Sequence, residues 1–263
     1  MIYGLTFNNV HSSTFGLYIK SKQIISPEKN KRKLKIAGRN GSWDFGNETY
    51  GDRYINVDFE ILAENKGMLR LQIRDVLEWL SGSGKLVFDD EIDKYYTAKV
   101  FSQIKPEEIQ SDGSFTVQFE CNPFAELIYL AHEITDIDND LLVHSKLRLD
   151  DLFQFDVNAP TTVEVNNFGT VPVRPTIKIT GSFTTFSITY NEKTLNYNEA
   201  ISNEEVIIDN ENYTVKKGSI NKLNVVTGNL NTFLELPKGI NNVDISGTGL
   251  NCTVVFNFRP MFL

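Results

Sequence analysis

Three histidines, His11, His132 and His144, and two cysteines, Cys121 and Cys252, are the side chains best suited to nucleophilic or metal chemistry in this 263-residue chain. No two histidines stand at i+2, i+4 or another ligand spacing, and none has a second soft ligand beside it, so the pattern builds no zinc site. A nucleophile–histidine–carboxylate triad assembles in space, so spacing leaves that chemistry open. The motifs G-x-S-x-G, H-E-x-x-H, the P-loop and G-x-G-x-x-G are absent from the sequence. Gly82-Ser83-Gly84 follows a helical stretch instead of opening one, so it cannot turn a helix N-terminus toward phosphate. Cys121 shares a face with Val117 and Phe119 and reads as a buried thiol, and two cysteines imply no disulfide framework.

The acidic group Asp89, Asp90, Glu91 and Asp93 has three readings. Glycosidase carboxylates need a partner ~5–9 Å away across a cleft, and calcium ligands need a D-x-D-x-D-G loop that is missing here. A solvated turn between two strands needs nothing further and is the expectation. Trp43 and Phe45 alternate with Ser42 and Asp44 between Gly41 and Gly46. Such a pair can enter a neighbouring chain, its own core or the face of a sugar; the neighbour is favoured. The basic run Lys29, Lys31, Arg32, Lys33 and Lys35 reads as a solvated loop, or as a charged arm docking on an acidic subunit.

The elements that must position these residues are mostly strands. In residues 36–62 a glycine-rich hairpin runs into a segment where Ile55, Val57, Phe59 and Ile61 alternate with Asn56, Asp58 and Glu60, the period of a half-buried strand. One helix is expected over residues 65–81, with Leu69, Ile73, Val76, Leu77 and Leu80 as its packing stripe and Gly82 and Gly84 as its stop. Short strands are expected at 2–7, 17–20, 95–103 and 115–121, with a polar connector at 104–114 turning at Asp112-Gly113 and a break at Asn122-Pro123-Phe124. After Asn166 the pattern is all β, with strands at 175–180, 183–190, 205–209, 212–216, 231–236 and 251–258 and turns at Thr180-Gly181, Asp209-Asn210, Gly228-Asn229 and Lys238-Gly239. That spacing describes a β-sandwich.

The length suggests two domains and a core that needs no staple. The reading is an α+β unit over 1–130, a linker over 131–160 with a strand near Leu147 or Phe153, and a sandwich over 161–263. Net charge is −8, divided −2 and −6 on either side of Leu130, which argues against general nucleic-acid binding. The N-terminus has no basic flank or apolar core of a secretion signal, and no apolar run of about 18 residues predicts membrane insertion.

Several stretches, in this order, resemble the distal tail protein family of phages with long non-contractile tails and related prophages. They are Tyr3-Gly4-Leu5-Thr6-Phe7-Asn8 with Phe15-Gly16-Leu17, Gly38-Arg39-Asn40-Gly41-Ser42-Trp43-Asp44-Phe45-Gly46, and Arg53-Tyr54-Ile55-Asn56-Val57. Next come Tyr95-Tyr96-Thr97-Ala98-Lys99-Val100 and Phe119-Glu120-Cys121-Asn122-Pro123-Phe124-Ala125. The second half adds Asn167-Phe168-Gly169-Thr170, Pro175-Thr176-Ile177, Leu236-Pro237-Lys238-Gly239-Ile240-Asn241 and Phe256-Asn257-Phe258-Arg259-Pro260.

The resemblance implies a mainly β protein. Its N-terminal tail-tube-like domain would be a β-sandwich or barrel with one helix, and its C-terminal domain a galectin-like β-sandwich. It implies a virion structural protein at the tail tip, neither an enzyme nor a cofactor binder. This would be a homo-hexameric ring between the major tail tube protein and the tail-associated hub protein, with receptor-binding proteins on the C-terminal domain. DNA would pass the lumen without specific binding. The expected subunit-contact residues are Arg39, Trp43, Phe45, Tyr50 and Arg53. Two other classes stand beside this reading. A carbohydrate-binding module would use Tyr190, Tyr197 or Tyr213 as its platform, and a wall-degrading enzyme would need two placed carboxylates or a metal.

Overall fold

The computed structural model describes residues 3–30, 33–44, 46, 49–109, 112–134, 147, 150–228 and 230–263. Two compact units emerge, Met1–Glu126 together with Leu263, and Leu127–Phe262.

The first unit carries β1 (Leu5–Phe7), β2 (Val10–His11), β3 (Leu17–Ile24), β4 (Lys29–Asn30), β5 (Lys33–Lys35), β6 (Ser42–Asp44), β7 (Thr49–Tyr50) and β8 (Arg53–Leu62). After these come α1 (Lys66–Trp79), β9 (Ser83–Phe88), β10 (Lys94–Val100), β11 (Glu107–Ile109), β12 (Asp112–Cys121) and β13 (Ala125–Leu127). Its main sheet runs β2-β1-β9-β10-β12-β8-β3. The alternation read in β8 holds: Ile55, Val57, Phe59 and Ile61 are buried. They lie in register with Phe119, Val117, Phe115 and Gly113 of β12, so two strands offer one apolar face. Gly113 is therefore a strand residue, not the expected turn, and β11 pairs back on β12 as a hairpin. A Cβ there would stand 2.9 Å from Ile61 Cγ2 and 3.2 Å from Leu69 Cδ1, because the helix packs tightly at that point.

The helix begins where Asn65 Oδ1 accepts the N–H groups of Gly67 and Met68, each at 3.0 Å. Leu69, Ile73, Val76 and Leu80 are buried as expected, but Leu77 is exposed and Trp79 is buried instead. At about 100° per residue these two flank the stripe on opposite sides. Trp79 wins because its indole N–H reaches Phe7 O at 3.0 Å and its ring meets Phe7 and Phe15. The sheet is open, with β2 and β3 at its edges, so of the two shapes expected for this unit the barrel is not formed.

The second unit is built from β14 (Gln154–Val157), β15 (Thr161–Asn167), β16 (Thr176–Phe183), β17 (Thr185–Tyr190), β18 (Lys193–Tyr197) and β19 (Ile201–Asp209). It continues with β20 (Thr214–Lys217), β21 (Ile220–Asn221), β22 (Val226–Thr227), β23 (Gly239–Thr248) and β24 (Asn251–Asn257). Two antiparallel sheets, β14-β24-β16-β19-β20-β21 and β15-β23-β17-β18-β22, share one apolar core. Ile177, Ile179, Val206 and Phe256 enter it from one side; Val165, Phe186, Leu195 and Val243 enter from the other. Ala131 and Phe153, from the stretch read as a linker, are also buried in this core, and β14 pairs with β24.

The strand expected at 231–236 does not form. A 3-10 turn spans Leu230–Thr232, and Leu236 makes a single bridge with Val173. Side chains satisfy the backbone there in place of a ladder. The amide of Asn210 accepts Leu234 N–H at 2.6 Å and donates to Pro175 O, while Asn167 Nδ2 donates to Leu236 O at 3.0 Å. β23, by contrast, starts at Gly239, where only a turn was expected.

Candidate assembly site on the N-terminal unit

Between β3 and β8 the chain leaves the main sheet. β4 pairs only with β7, and β5 only with β6, so a hairpin arm is held by two short ladders of its own. The glycine-rich hairpin read over residues 36–62 is bounded differently in the structure. β8 lies between β12 and β3, both main-chain edges are taken, and it cannot be lent to another copy. The arm starts earlier, in the basic run read as a solvated loop or as a charged docking arm.

Its apolar side chains point into solvent. Leu34 and Trp43 are cross-strand partners, 54% and 46% exposed, and Ile36 beside them is 44% exposed. The Arg39 guanidinium lies 4.5 Å from the Trp43 ring centroid, and Arg39 N–H closes the tip turn on Ile36 O at 3.2 Å. Phe45, expected beside Trp43, lies outside the described residues.

The root of the arm is fastened to its own unit. Gly51 N–H donates to Glu28 O at 2.8 Å, Ile25 N–H to Tyr54 O at 3.0 Å, and Asn30 Nδ2 to Thr49 Oγ1 at 3.1 Å. Tyr50 packs edge-on against Phe124 at 5.2 Å. Arg53, 5% exposed, donates from Nε to Pro123 O at 2.9 Å and stacks near Tyr96. The segment Asn122-Pro123-Phe124, read only as a strand break, is thus the socket of the arm. Of the expected contact residues, Arg39 and Trp43 share the tip, while Tyr50 and Arg53 sit together at the root and are occupied within the unit.

The acidic turn is a second built feature. Lys22 Nζ meets both carboxylate oxygens of Asp90 at 2.6 Å and lies 4.3 Å from the Phe88 ring centroid and 5.2 Å from that of Tyr3. Burial raises the Asp90 carboxyl, but the Lys22 ammonium hydrogen-bonded to both its oxygens, with the Tyr3 hydroxyl nearby, outweighs it and holds the group below the usual carboxylate range. Burial first, then Asp90 beside it, pushes the Tyr3 hydroxyl upward. This clasp and the Ile19 N–H to Tyr3 O bond, 3.5 Å long, span the gap between the β3 edge and the start of β1.

The structure also brings together a serine, a histidine and a carboxylate that sequence spacing could not: Ser13 Oγ is 2.7 Å from His11 Nδ1, and His11 Nε2 is 3.2 Å from Asp89. The role is local. Nδ1 also accepts Ser13 N–H at 3.2 Å, capping the 3-10 turn Ser12–Phe15, and Asp89 is held by Gly4 N–H at 2.8 Å. Glu91 and Asp93 pair with Lys94 at 3.0 and 2.9 Å, so the four acids form a hydrogen-bonded turn.

Burial pushes the Cys121 thiol up to about 12 and raises Cys252 too, which keeps both as inert thiols. His132 packs into a short 3-10 turn, and His144 lies outside the described residues. The outward face of β8 is self-paired: Asp58 accepts Ser21 at 2.5 Å and Thr116 at 2.6 Å, which lower its carboxyl, and Gln118 donates to Asn56 at 3.1 Å. A groove of about 480 Å³ on that face is lined by Lys20, Asp58, Lys105 and Glu107, charges of both signs. Of the tyrosines weighed as sugar platforms, Tyr197 is fully buried, Tyr213 is packed on Phe233 beneath Arg174, and the Tyr190 hydroxyl donates to Asn241.

Two family models match this chain. One, a phage tail protein RIFT-related domain, matches residues 10–121. The other, a siphovirus-type tail component C-terminal domain, matches residues 168–262. No curated protein sequence matches the chain. Among solved structures, the crystal structure of SPP1 Dit (gp 19.1), described as a paradigm of the hub adsorption apparatus in phages infecting Gram-positive hosts, superposes with a TM-score of 0.72 at 15% identity. That match covers 98% of this chain and 99% of that one, and it establishes a shared fold. A chain of the phage p2 baseplate in its activated conformation aligns at 11% identity over 99% of this chain and 97% of that one, with a TM-score of 0.39.

Proposed function

The chain belongs to the siphophage distal tail protein family, and from that premise we propose that it is the non-enzymatic hub ring of a tail tip. Six copies close a ring through their first units, one face of the ring meeting the tail tube and the other the tail-associated hub protein. DNA crosses the lumen without being bound. The second unit, a galectin-like sandwich, is the station for receptor-binding or accessory proteins. The protein works in the virion, at the tail tip, after assembly in the host cytoplasm.

The observation that carries this reading is the arm. A hairpin with Leu34, Ile36 and Trp43 exposed, standing beside a strand β8 whose two main-chain edges are both paired, is an unfavourable surface for a solitary chain. A neighbour that covers it turns that cost into an interface anchored by an aromatic side chain. Arg39 and Trp43 form the contact at the tip, Phe45 is a contact residue on sequence grounds alone, and Tyr50 and Arg53 set the angle at which the arm leaves. The surface that receives an arm on the neighbour is a different patch from the arm itself, so the proposed contact is heterologous, and such contacts close at six when each rotates by about 60°. Electron micrographs and light scattering of the purified protein test this: six-fold rings whose population rises with concentration are expected. A monomer at every concentration, on a tube as well as in solution, overturns the ring.

A further inference from the structure

We propose that Asn40 is a site of spontaneous deamidation, a covalent modification that ages the arm. Asn40-Gly41 is the only Asn-Gly step in the sequence. Both residues are exposed in the bend that follows β5, outside either ladder of the arm. Gly41 has φ +82°, and nothing lies within 4 Å of the position its Cβ would take, so no neighbouring side chain blocks rotation about the step. The tip turn is closed by Arg39 N–H on Ile36 O, one residue before the step, which leaves the 40–41 peptide outside that bond.

The reaction follows from those conditions. The Gly41 backbone nitrogen, giving up its proton to hydroxide, attacks Asn40 Cγ; a C–N bond forms, the Cγ–Nδ2 bond breaks, and ammonia leaves. The five-membered succinimide then takes up water. Opening at one carbonyl yields aspartate, and opening at the other yields isoaspartate with the backbone rerouted through the side chain. No oxidant or cofactor enters. Asp112-Gly113, the one Asp-Gly step of the chain, could isomerise through the same imide, but Gly113 is locked in β12 against Ile61 and Leu69. The structure therefore separates two steps that sequence alone ranks together.

The new carboxylate appears next to Arg39, whose guanidinium lies 4.5 Å from the Trp43 ring. An anion one residue away competes for that cation and takes charge from the basic arm. This consequence rests on the ring reading; the modification itself does not.

The full-length chain incubated in mildly alkaline buffer and mapped by mass spectrometry, with isoaspartyl methyltransferase as a second readout, tests the site. Conversion is expected first at Asn40, at a rate rising in proportion to hydroxide, with Asn40→Gln abolishing the early product. Earlier conversion at another asparagine or at Asp112, or an unmodified Asn40 after prolonged incubation, overturns it. Light scattering of fresh and aged protein then addresses the consequence: Asn40→Asp should assemble less readily than the parent. Equal assembly refutes the coupling to the arm, while the peptide map alone decides whether Asn40 is the modified residue.

Discussion

Replacing Trp43 by alanine should weaken ring assembly strongly while leaving the isolated fold intact. The side chain is 46% exposed. Applied to the roughly 150–250 Å² that an aromatic side chain can bury, this leaves about 70–115 Å² for a neighbour to cover. At about 25 cal/mol per Å² that is about 2 kcal/mol, the size of a typical interface hot spot. Each interface then weakens about 30-fold. A closed six-ring spreads six interfaces over five association steps, so the concentration at half assembly should rise about 60-fold, since each interface contributes more than once per step. The monomer should shift by no more than about 0.5 kcal/mol, because Leu34 and Arg39, the partners of Trp43 among the described residues, belong to the arm. Mass photometry across a dilution series reads the ring population. The chain has only two tryptophans and Trp79 is buried, so a blue shift of emission on assembly reports Trp43. An assembly midpoint within a few-fold of the parent, or a parent whose emission does not move as rings form, refutes the anchor role.

Two further outcomes follow from the first unit. Asp90→Asn should destabilise by about 1–2 kcal/mol at neutral pH because it strands a Lys22 that is only 20% exposed, whereas Lys22→Met should cost less than about 1 kcal/mol because Asp90, 46% exposed, rehydrates. The folded Asp90 carboxyl is depressed, so the contribution is present above its ordinary value of about 4 and lost as pH falls through the lower folded value. Urea melts followed by tryptophan emission at neutral and strongly acidic pH check both points, and a larger cost for Lys22→Met reverses the reasoning. Gly113→Ala should cost about 1–3 kcal/mol through overpacking, since the new methyl meets Ile61 at 2.9 Å; an unchanged urea midpoint would mean that the helix rides looser on the sheet than the contacts imply.

Where an element was legible in the sequence, it buried one face and wetted the other. The strand Arg53–Leu62 and the helix Lys66–Trp79 both write their periods in apolar side chains, 2 in one and 3.6 in the other. What was lost needed information from elsewhere in the chain. Leu77 and Trp79 flank the stripe symmetrically, and contacts from far along the chain, the Phe7 carbonyl 72 residues away and the Phe7 and Phe15 rings, decide between them. Segment 231–236 alternates like a strand, yet Asn210 and Asn167 satisfy its backbone from outside. Buried asparagines that replace a ladder leave no periodic signal.

The arm failed for a different reason. Residue type singles out Arg39 and Trp43, which do stand together, but not the limits of the arm, because a hairpin exposed on both faces has no alternation to mark where it starts. Lys33–Lys35 is exposed at every position, and Lys29–Asn30 likewise. Glycines at 38, 41 and 46 drew attention to the second half alone. The first half reads as a charge run, which by itself looks like solvated loop. A strand meant to be covered by another molecule carries the composition of a surface in one chain and of a core only in two. On the proposed ring, Leu34 and Trp43, side by side and half in water, are the side chains that such a contact would cover.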